Sequence, residues 1–258
     1  MKRRSNRGSK GRSDMEVNMI TYKSISRMGS RSVNEDCVGM HRKGQEYGFF
    51  LADGLGGHGK GEVASKTAVE PAILRFEEGG FGEETLKKIF LTGQDAIMEK
   101  QRELGCPRAM KTTMTALLIG NSRIRFGHVG DSRIYYFRNG KLMGRTMDHS
   151  VPQMLAAAGE IREEEIRHHP DRNRLLRVMG VEWDRPAFQL AEEIERNGKQ
   201  AFLLCSDGFW ELVTEKEMTA LLKRSRTVEQ WLDAMEALVI KNGEGTNMDN
   251  YSAVAVWT

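Results

Sequence analysis

Strand-like apolar runs are grouped along this 258-residue chain, and so are its helical segments. Single alternation of strand and helix would call for a doubly wound parallel sheet. Grouping calls instead for antiparallel sheets with segregated helices, an α+β fold. The runs are "MITYKSIS", "DCVGMH", "EYGFFLAD", "TMTALLIG", "RIRFGHVG" and "SRIYYFRNGKLMG", later "QAFLLCSDGFW", and finally "YSAVAVWT". Asn139-Gly140 between alternating segments is a hairpin signal. A helix is expected from about Gly61 to Glu78, kinked or broken at Pro71. A second, "EETLKKIFLTGQDAIMEKQREL", sets Leu86, Ile89, Phe90, Ala96 and Ile97 roughly on one face. Two more are expected over Thr214–Arg224 and Val228–Lys241. From about 145–150 to 186 the chain is polar, charge-dense and poor in strand signals, and its length marks an inserted flap rather than a connection.

The segment "FFLADGLGGHGKGE" admits three readings. Gly54, Gly56 and Gly59 match the dinucleotide fingerprint, but the expected second strand ending in an acid is missing, and Asp53 would repel a pyrophosphate. Gly59-Lys60 resembles the end of a P-loop, but Gly61 stands where Ser or Thr must hold magnesium. The third reading makes Asp53 the functional residue. One Asp-Gly after a strand is usually a turn. Here the arrangement recurs: Asp53, Asp131 and Asp207 follow apolar runs, and Asp36 and Asp249 precede them.

Antiparallel strands bring such ends to one rim. Two like charges about 4 Å apart repel by about 4 kcal/mol at an effective dielectric near 20. A cluster of carboxylates therefore stays ionised only with cations among it. Oxygen donors without His or Cys suit Mg²⁺ or Mn²⁺. Two such ions in one site point to phosphoryl chemistry.

Composition narrows the remaining classes. No run of eighteen apolar residues is present, so no segment reads as a membrane helix. In residues 1–14, Lys2, Arg3, Arg4, Arg7, Lys10 and Arg12 face one acid, Asp14, and residues 15–258 carry 33 basic and 35 acidic residues. The body is thus not a nucleic-acid-binding domain by charge. The opening segment has no apolar stretch to make it a secretory signal, and residues 1–16 are expected to form a solvated basic tail. Cys37, Cys106 and Cys205 form no CxxC pair, which suits a reducing, cytoplasmic setting without a disulfide framework or a zinc site.

The blocks "RSVNED", "ADGLGGHGKGEVAS", "TTMTALLI", "GHVGDSRIYYFRNGKL", "DHSVPQML", "LLCSDGFWELV" and "MDNYSAVAV" stand in the order found in the metal-dependent protein phosphatases (PPM family, type 2C), in their compact bacterial form. The resemblance spans about Ile20 to Trp257. It implies a four-layer α-β-β-α sandwich: two antiparallel sheets flanked by helices, with a flap insertion over about 145–186 in a catalytic domain of residues 17–258. It implies a serine/threonine protein phosphatase that hydrolyses phosphoprotein monoesters by in-line attack of a metal-bridging water. The alternatives are a phosphatase-like module that binds phosphoproteins with little turnover and, more distantly, a P-loop NTPase.

Residue by residue, the resemblance assigns Asp36, Asp53, Gly54 (through its carbonyl), Asp207 and Asp249 to two central Mn²⁺ or Mg²⁺ ions. Asp131, with Asp207 nearby, matches a third ion. Arg31 matches the arginine that grips the substrate phosphate, and Glu35 an acid that orients water. The family's eukaryotic histidine is replaced by Leu55; His58 either takes over as general acid or is a loop residue without that role. Arg172, Arg174 and Arg177 of the flap either meet a phosphoprotein or form a solvated face. The implied partners are Ser/Thr-phosphorylated proteins, including a cognate Ser/Thr kinase, acting on a monomeric enzyme with no requirement for nucleic acid or membrane.

Overall fold

The computed structural model describes residues 19–56 and 59–258; the expected basic tail and His58 lie outside them. In chain order, β1 (Thr21–Arg27), β2 (Asp36–Lys43) and β3 (Glu46–Asp53) precede α1 (Gly61–Gly79) and α2 (Glu83–Glu103). Four strands follow: β4 (Met114–Ile119), β5 (Arg123–Val129), β6 (Arg133–Arg138) and β7 (Lys141–Arg145). The flap contributes α3 (Val151–Ala157) and a 3-10 turn over Glu163–His168. Two-residue strands β8 (Gln189–Leu190) and β9 (Ile194–Glu195) come next, then β10 (Gln200–Cys205), α4 (Asp207–Trp210), α5 (Glu215–Arg224), α6 (Val228–Gly243) and β11 (Tyr251–Trp257).

One sheet runs β1-β11-β10-β6-β7 and the other β2-β3-β4-β5-β8, with β9 also on β5; every pairing is antiparallel. Strand alternation explains the layering. On β11, Ala253 and Ala255 join the core under α5 and α6, whereas Val254 and Val256 enter the core between the sheets. On β10, Leu203 and Cys205 take the first side and Phe202 and Leu204 the second. On β3, Phe50 and Ala52 face α1 and α2, while Phe49 and Leu51 face the opposite sheet. Both faces of these strands are covered, which is why they read as continuous apolar runs rather than clean alternation. Each fully buried Phe or Leu contributes about 1.5–3 kcal/mol.

The hairpin turn is at Asn139-Gly140, where φ is 50° and 70°; two positive φ values match the twist of the flanking strands. The expected break at Pro71 does not occur. α1 continues through it, buried along Ala64, Ala68, Ala72 and Phe76 against β2, β3 and α2, and that packing outweighs the hydrogen bond which proline removes. The two short strands β8 and β9 carry no alternation long enough to be visible in sequence.

Candidate metal centre

Five acids predicted from strand ends come to one rim of the sandwich. Asp36 and Asp53 are cross-strand partners at the start of β2 and the end of β3. Asp131 precedes β6, Asp207 follows β10 and Asp249 precedes β11, three neighbouring antiparallel strands whose relevant ends coincide. Each loop is held. The main-chain N–H of Asp53 donates to Thr113 Oγ1 at 3.0 Å, and the hydroxyl of Thr112 donates to the Asp53 carbonyl at 2.8 Å. Asn250 staples the segment before β2: its amide donates to the carbonyls of Met28 and Val33, at 2.8 and 2.9 Å, and its oxygen accepts from Glu35 N–H at 2.8 Å.

Burial and mutual repulsion dominate the electrostatics. Burial pushes the Asp36 carboxyl up to about 7, against hydrogen bonds from Ser252 and Ser206 that favour its anion; Asp207 and Asp249 add to the rise. Asp53 is raised well above the carboxylate range by burial, then by Asp207, Asp36, Asp131 and Asp249. Burial followed by Asp207 does the same to Asp131, and burial followed by Asp249 raises Asp207. Glu35 is raised by burial and by Glu62. Among the described residues, no three His, Cys, Asp or Glu side chains are already closed into a ligand shell. The acids stand within range of one another's charge instead, as expected of repelling groups.

The residues fit hard divalent cations. Asp36 Oδ2 accepts from Ser206 Oγ at 2.8 Å, but its buried Oδ1 has no partner among the described residues. The donors are all oxygen, which selects Mg²⁺- or Mn²⁺-like ions over zinc. Backbone crowds in behind them. A Cβ on Gly54 would stand 2.2 Å from the Gly61 carbonyl oxygen, and one on Gly56 would stand 1.9 Å from Glu35 Oε2. Gly54 is therefore needed for close backbone approach, whereas at Gly56 the crowding comes from the movable Glu35 carboxylate.

Arg31 Nη2 lies 2.8 Å from Asp249 Oδ2, with its side chain half exposed, so its guanidinium borders the cluster. Its fork is suited to a tetrahedral oxyanion. Leu55 occupies the position after Asp53-Gly54 and donates its N–H to Lys111 O at 2.9 Å. In the flap, Arg172 is ion-paired with Glu211 at 2.8 Å, whereas Arg174 and Arg177 are exposed. Glu211, near Asp207, is raised to about 7 by burial and then by that aspartate. Cys37 and Cys205 belong to the cores; burial pushes the first thiol up to about 11 and raises the second, so neither is a ready thiolate.

Sequence reasoning missed the scaffold behind the acids. Arg133 forks onto Asp148 at 2.8 and 2.6 Å, and both side chains are almost fully buried. Its guanidinium stacks 3.4 Å from the Trp210 ring centre, and Trp210 Nε1 donates to the Asp131 carbonyl at 3.0 Å. Trp210 also ends the short helix that begins with Asp207. Arg167 of the flap reaches Glu215 at 2.9 and 3.1 Å, and Arg145 reaches Glu163 at 2.6 Å. A buried Arg followed by an Asp 15 residues later gives no periodic signal. Stacked beside this network are His128 and His149, 4.5 Å apart.

The sequence pattern of the family described as Protein phosphatase 2C matches residues 25–241. A serine/threonine phosphatase, stp, of Listeria monocytogenes is 33% identical over 214 residues, spanning 79% of this chain and 82% of that protein. The serine/threonine protein phosphatase PstP of Mycobacterium tuberculosis is 32% identical over 201 residues, 77% of this chain and 38% of that longer protein. Among solved structures, the serine/threonine phosphatase Stp1 of Staphylococcus aureus superposes with a TM-score of 0.84 at 29% identity, covering 93% of this chain and 95% of that one. The catalytic domain of PstP in complex with two manganese ions gives a TM-score of 0.76 at 28% identity, covering 92% and 97%.

Proposed function

The chain belongs to the protein phosphatase 2C family, and from that premise we propose that its rim of carboxylates serves metal-dependent hydrolysis of serine/threonine phosphoproteins. The observation that carries the reading is the buried Oδ1 of Asp36, without a partner among the described residues, on a strand end paired with that of Asp53 among raised carboxylates. Asp36, Asp53, the Gly54 carbonyl, Asp207 and Asp249 would hold two divalent ions, Mn²⁺ or Mg²⁺, and Asp131 with Asp207 would hold a third. Such ions supply a water nucleophile near neutral pH and neutralise charge on the phosphoryl group.

The protein's own groups do the rest. Arg31 leaves Asp249 to fork onto the phosphate of the substrate and sets the phosphorus in line. Glu35, raised yet close to the rim, accepts a hydrogen bond that orients the attacking water. The leaving alkoxide needs a proton, and His58 is its proposed donor. Trp210 holds the Asp131 carbonyl, and the Thr112–Thr113 pair holds Asp53, so the acids need little rearrangement to bind.

The wider assignments follow the same reading: a basic tail over 1–16, a catalytic domain over 17–258, a cognate Ser/Thr kinase among the partners, a monomeric state and a cytoplasmic site of action. Among the described residues, no helix is long and apolar enough to cross a membrane. The test is phosphate release from a phosphothreonine peptide with Mn²⁺, then with excess chelator, beside Asp207→Asn. Release that requires the metal and is lost in the variant is the expected result. Phosphate release that survives chelation would overturn the reading.

A further inference from the structure

Two cavities of about 610 Å³ each open side by side at the end of the sandwich opposite the carboxylate rim. One lies between β7 and α5, lined by Leu142, Thr219 and Ala220. The other is walled by Phe137, Leu222 and Trp257, with the exposed Met19 at its lip. They share Lys223, whose stem lies over Gly140 at the hairpin tip. The second cavity also includes Gln200, where β10 starts, and Thr258, just past β11; Asp207 and Asp249 sit at the other ends of those strands. Six or seven strand residues put the two ends about 20 Å apart.

Charge sets this surface apart. Lys141, Lys199, Lys216, Lys223, Arg224 and Arg226 line the two cavities; all six are exposed, and none forms an ion pair among the described residues. Several cations elsewhere are paired, among them Lys23 with Asp233, Arg27 with Glu236, Arg75 with Glu78, Lys87 with Glu83 and Arg125 with Glu193, whereas these six gather on one face without a carboxylate partner among the described residues. The single acidic side chain among the described residues lining either cavity, Glu215, is committed to Arg167, Arg133 and Tyr135. The segment before Met19 carries six further cations. Six uncompensated positive charges on a body that is slightly acidic overall form a strong local field. Trp257, in the wall of the second cavity, also has an indole N–H without an acceptor among the described residues.

We propose that this paired groove docks an acidic, apolar-studded segment of a protein substrate, remote from the metal centre. The cations match carboxylates, and the apolar floors match interleaved Leu- or Phe-type side chains. Concave apolar floors favour a polypeptide over a flat lipid surface, and the lack of a continuous aromatic platform disfavours single-stranded nucleic acid. The chain's own basic opening segment is excluded as occupant by its charge. The kinetic consequence rests on the phosphoprotein reading above: a docked segment raises the effective concentration of a tethered phosphoresidue at the distant rim. A tether of ten residues reaches at most about 35 Å, so about fifteen residues suffices to pass around the molecule.

The probe is a phosphothreonine peptide joined through a fifteen-residue Gly/Ser linker to a Glu/Asp/Leu segment, compared with the same peptide lacking that segment. At low salt the extended peptide should show a KM at least tenfold lower. The advantage should vanish in a Lys223→Glu/Arg224→Glu/Arg226→Glu variant, while turnover of p-nitrophenyl phosphate stays unchanged. If that variant fails to fold, Lys141→Ala with Lys199→Ala should reduce the advantage about threefold. Equal KM values for the two peptides in the wild type would overturn the proposal. So would tighter binding of duplex DNA or phosphatidylserine vesicles than of the acidic segment. Fluorescence anisotropy of the labelled acidic segment alone gives a readout independent of catalysis. Binding there with no phosphate release would sink the activity and keep the dock; release without binding would do the reverse.

Discussion

Two buried charged clusters lie back to back on the same strands, and they solve burial differently. At the rim, Asp36, Asp53, Asp131 and Asp207 are packed together with no Lys or Arg ion-paired to them among the described residues, and all are raised. Two residues further along β6, Arg133 forks onto Asp148, with Arg145, Glu215 and Arg167 closing the network. The second cluster is neutralised by the protein itself, so it braces the fold. The first has no such partner among the described residues, which is the arrangement expected of the proposed metal site. Buried charge is costly unless it is paired, and the pairing partner need not belong to the chain.

The largest expected effect separates the two by function. Asp207→Asn should lower phosphate release at least a thousandfold, about 4 kcal/mol of barrier. Yet it should raise the metal-free protein's urea midpoint, because it removes a repelling carboxylate. A variant that loses both activity and metal-free stability would make Asp207 a structural residue.

Breaking the braced cluster should invert that pattern. Arg133→Leu leaves Asp148 buried with a weaker partner and should cost about 3–5 kcal/mol of unfolding free energy. Asp148→Asn added to it should recover part of the loss, a coupling that a double-mutant cycle measures. Additive losses would show that the pair is not a unit.

The pH dependence should differ in sign between acids and histidines. Asp36 has a folded value near 7 against an ordinary value of 3.8, so its folded state retains the proton. Its contribution favours folding below about pH 4 and is lost as pH rises towards 7. In chelator, Asp36→Asn should therefore gain about 2–4 kcal/mol relative to wild type between pH 4 and 7.5. Saturating Mn²⁺ should reverse the wild-type trend, since ligands bind deprotonated. His149 runs the other way: burial and then its neighbour His128 lower it to about 3 from 6.5. Its contribution is present above pH 6.5 and lost as pH falls towards 3. His149→Phe should flatten that acid limb; an unchanged limb would exclude the pair.

The smallest effect belongs to the half-exposed Arg31. Arg31→Lys keeps the charge but loses the fork, and kcat/KM should fall about tenfold with little change in unfolding. A loss as large as that of Asp207→Asn would place Arg31 inside the metal scaffold instead.

The legible part of this protein was local. Asp36, Asp53, Asp131, Asp207 and Asp249 could be found because each sits where an apolar run begins or ends, and strand periodicity marks those points. The hairpin at Asn139-Gly140 was visible because positive φ demands such residues. Other features depended on partners far away in sequence. The Pro71 break failed to appear because packing on β2, β3 and α2 overrode a local rule. Arg172 carries no signal of its pairing with Glu211, nor Ser206 of its hydrogen bond to Asp36, 170 residues away.

Taken alone, the pattern of the sequence determined antiparallel sheets with segregated helices and marked the acids at strand ends, because apolar period and acid position are properties of single segments; the sandwich came with the family resemblance. Only the tertiary structure decided which buried charges are compensated. Whether Asp148 meets Arg133 or Asp53 meets Asp207 is set by which strand ends are brought together, and compensation depends on distances of a few ångströms across the fold.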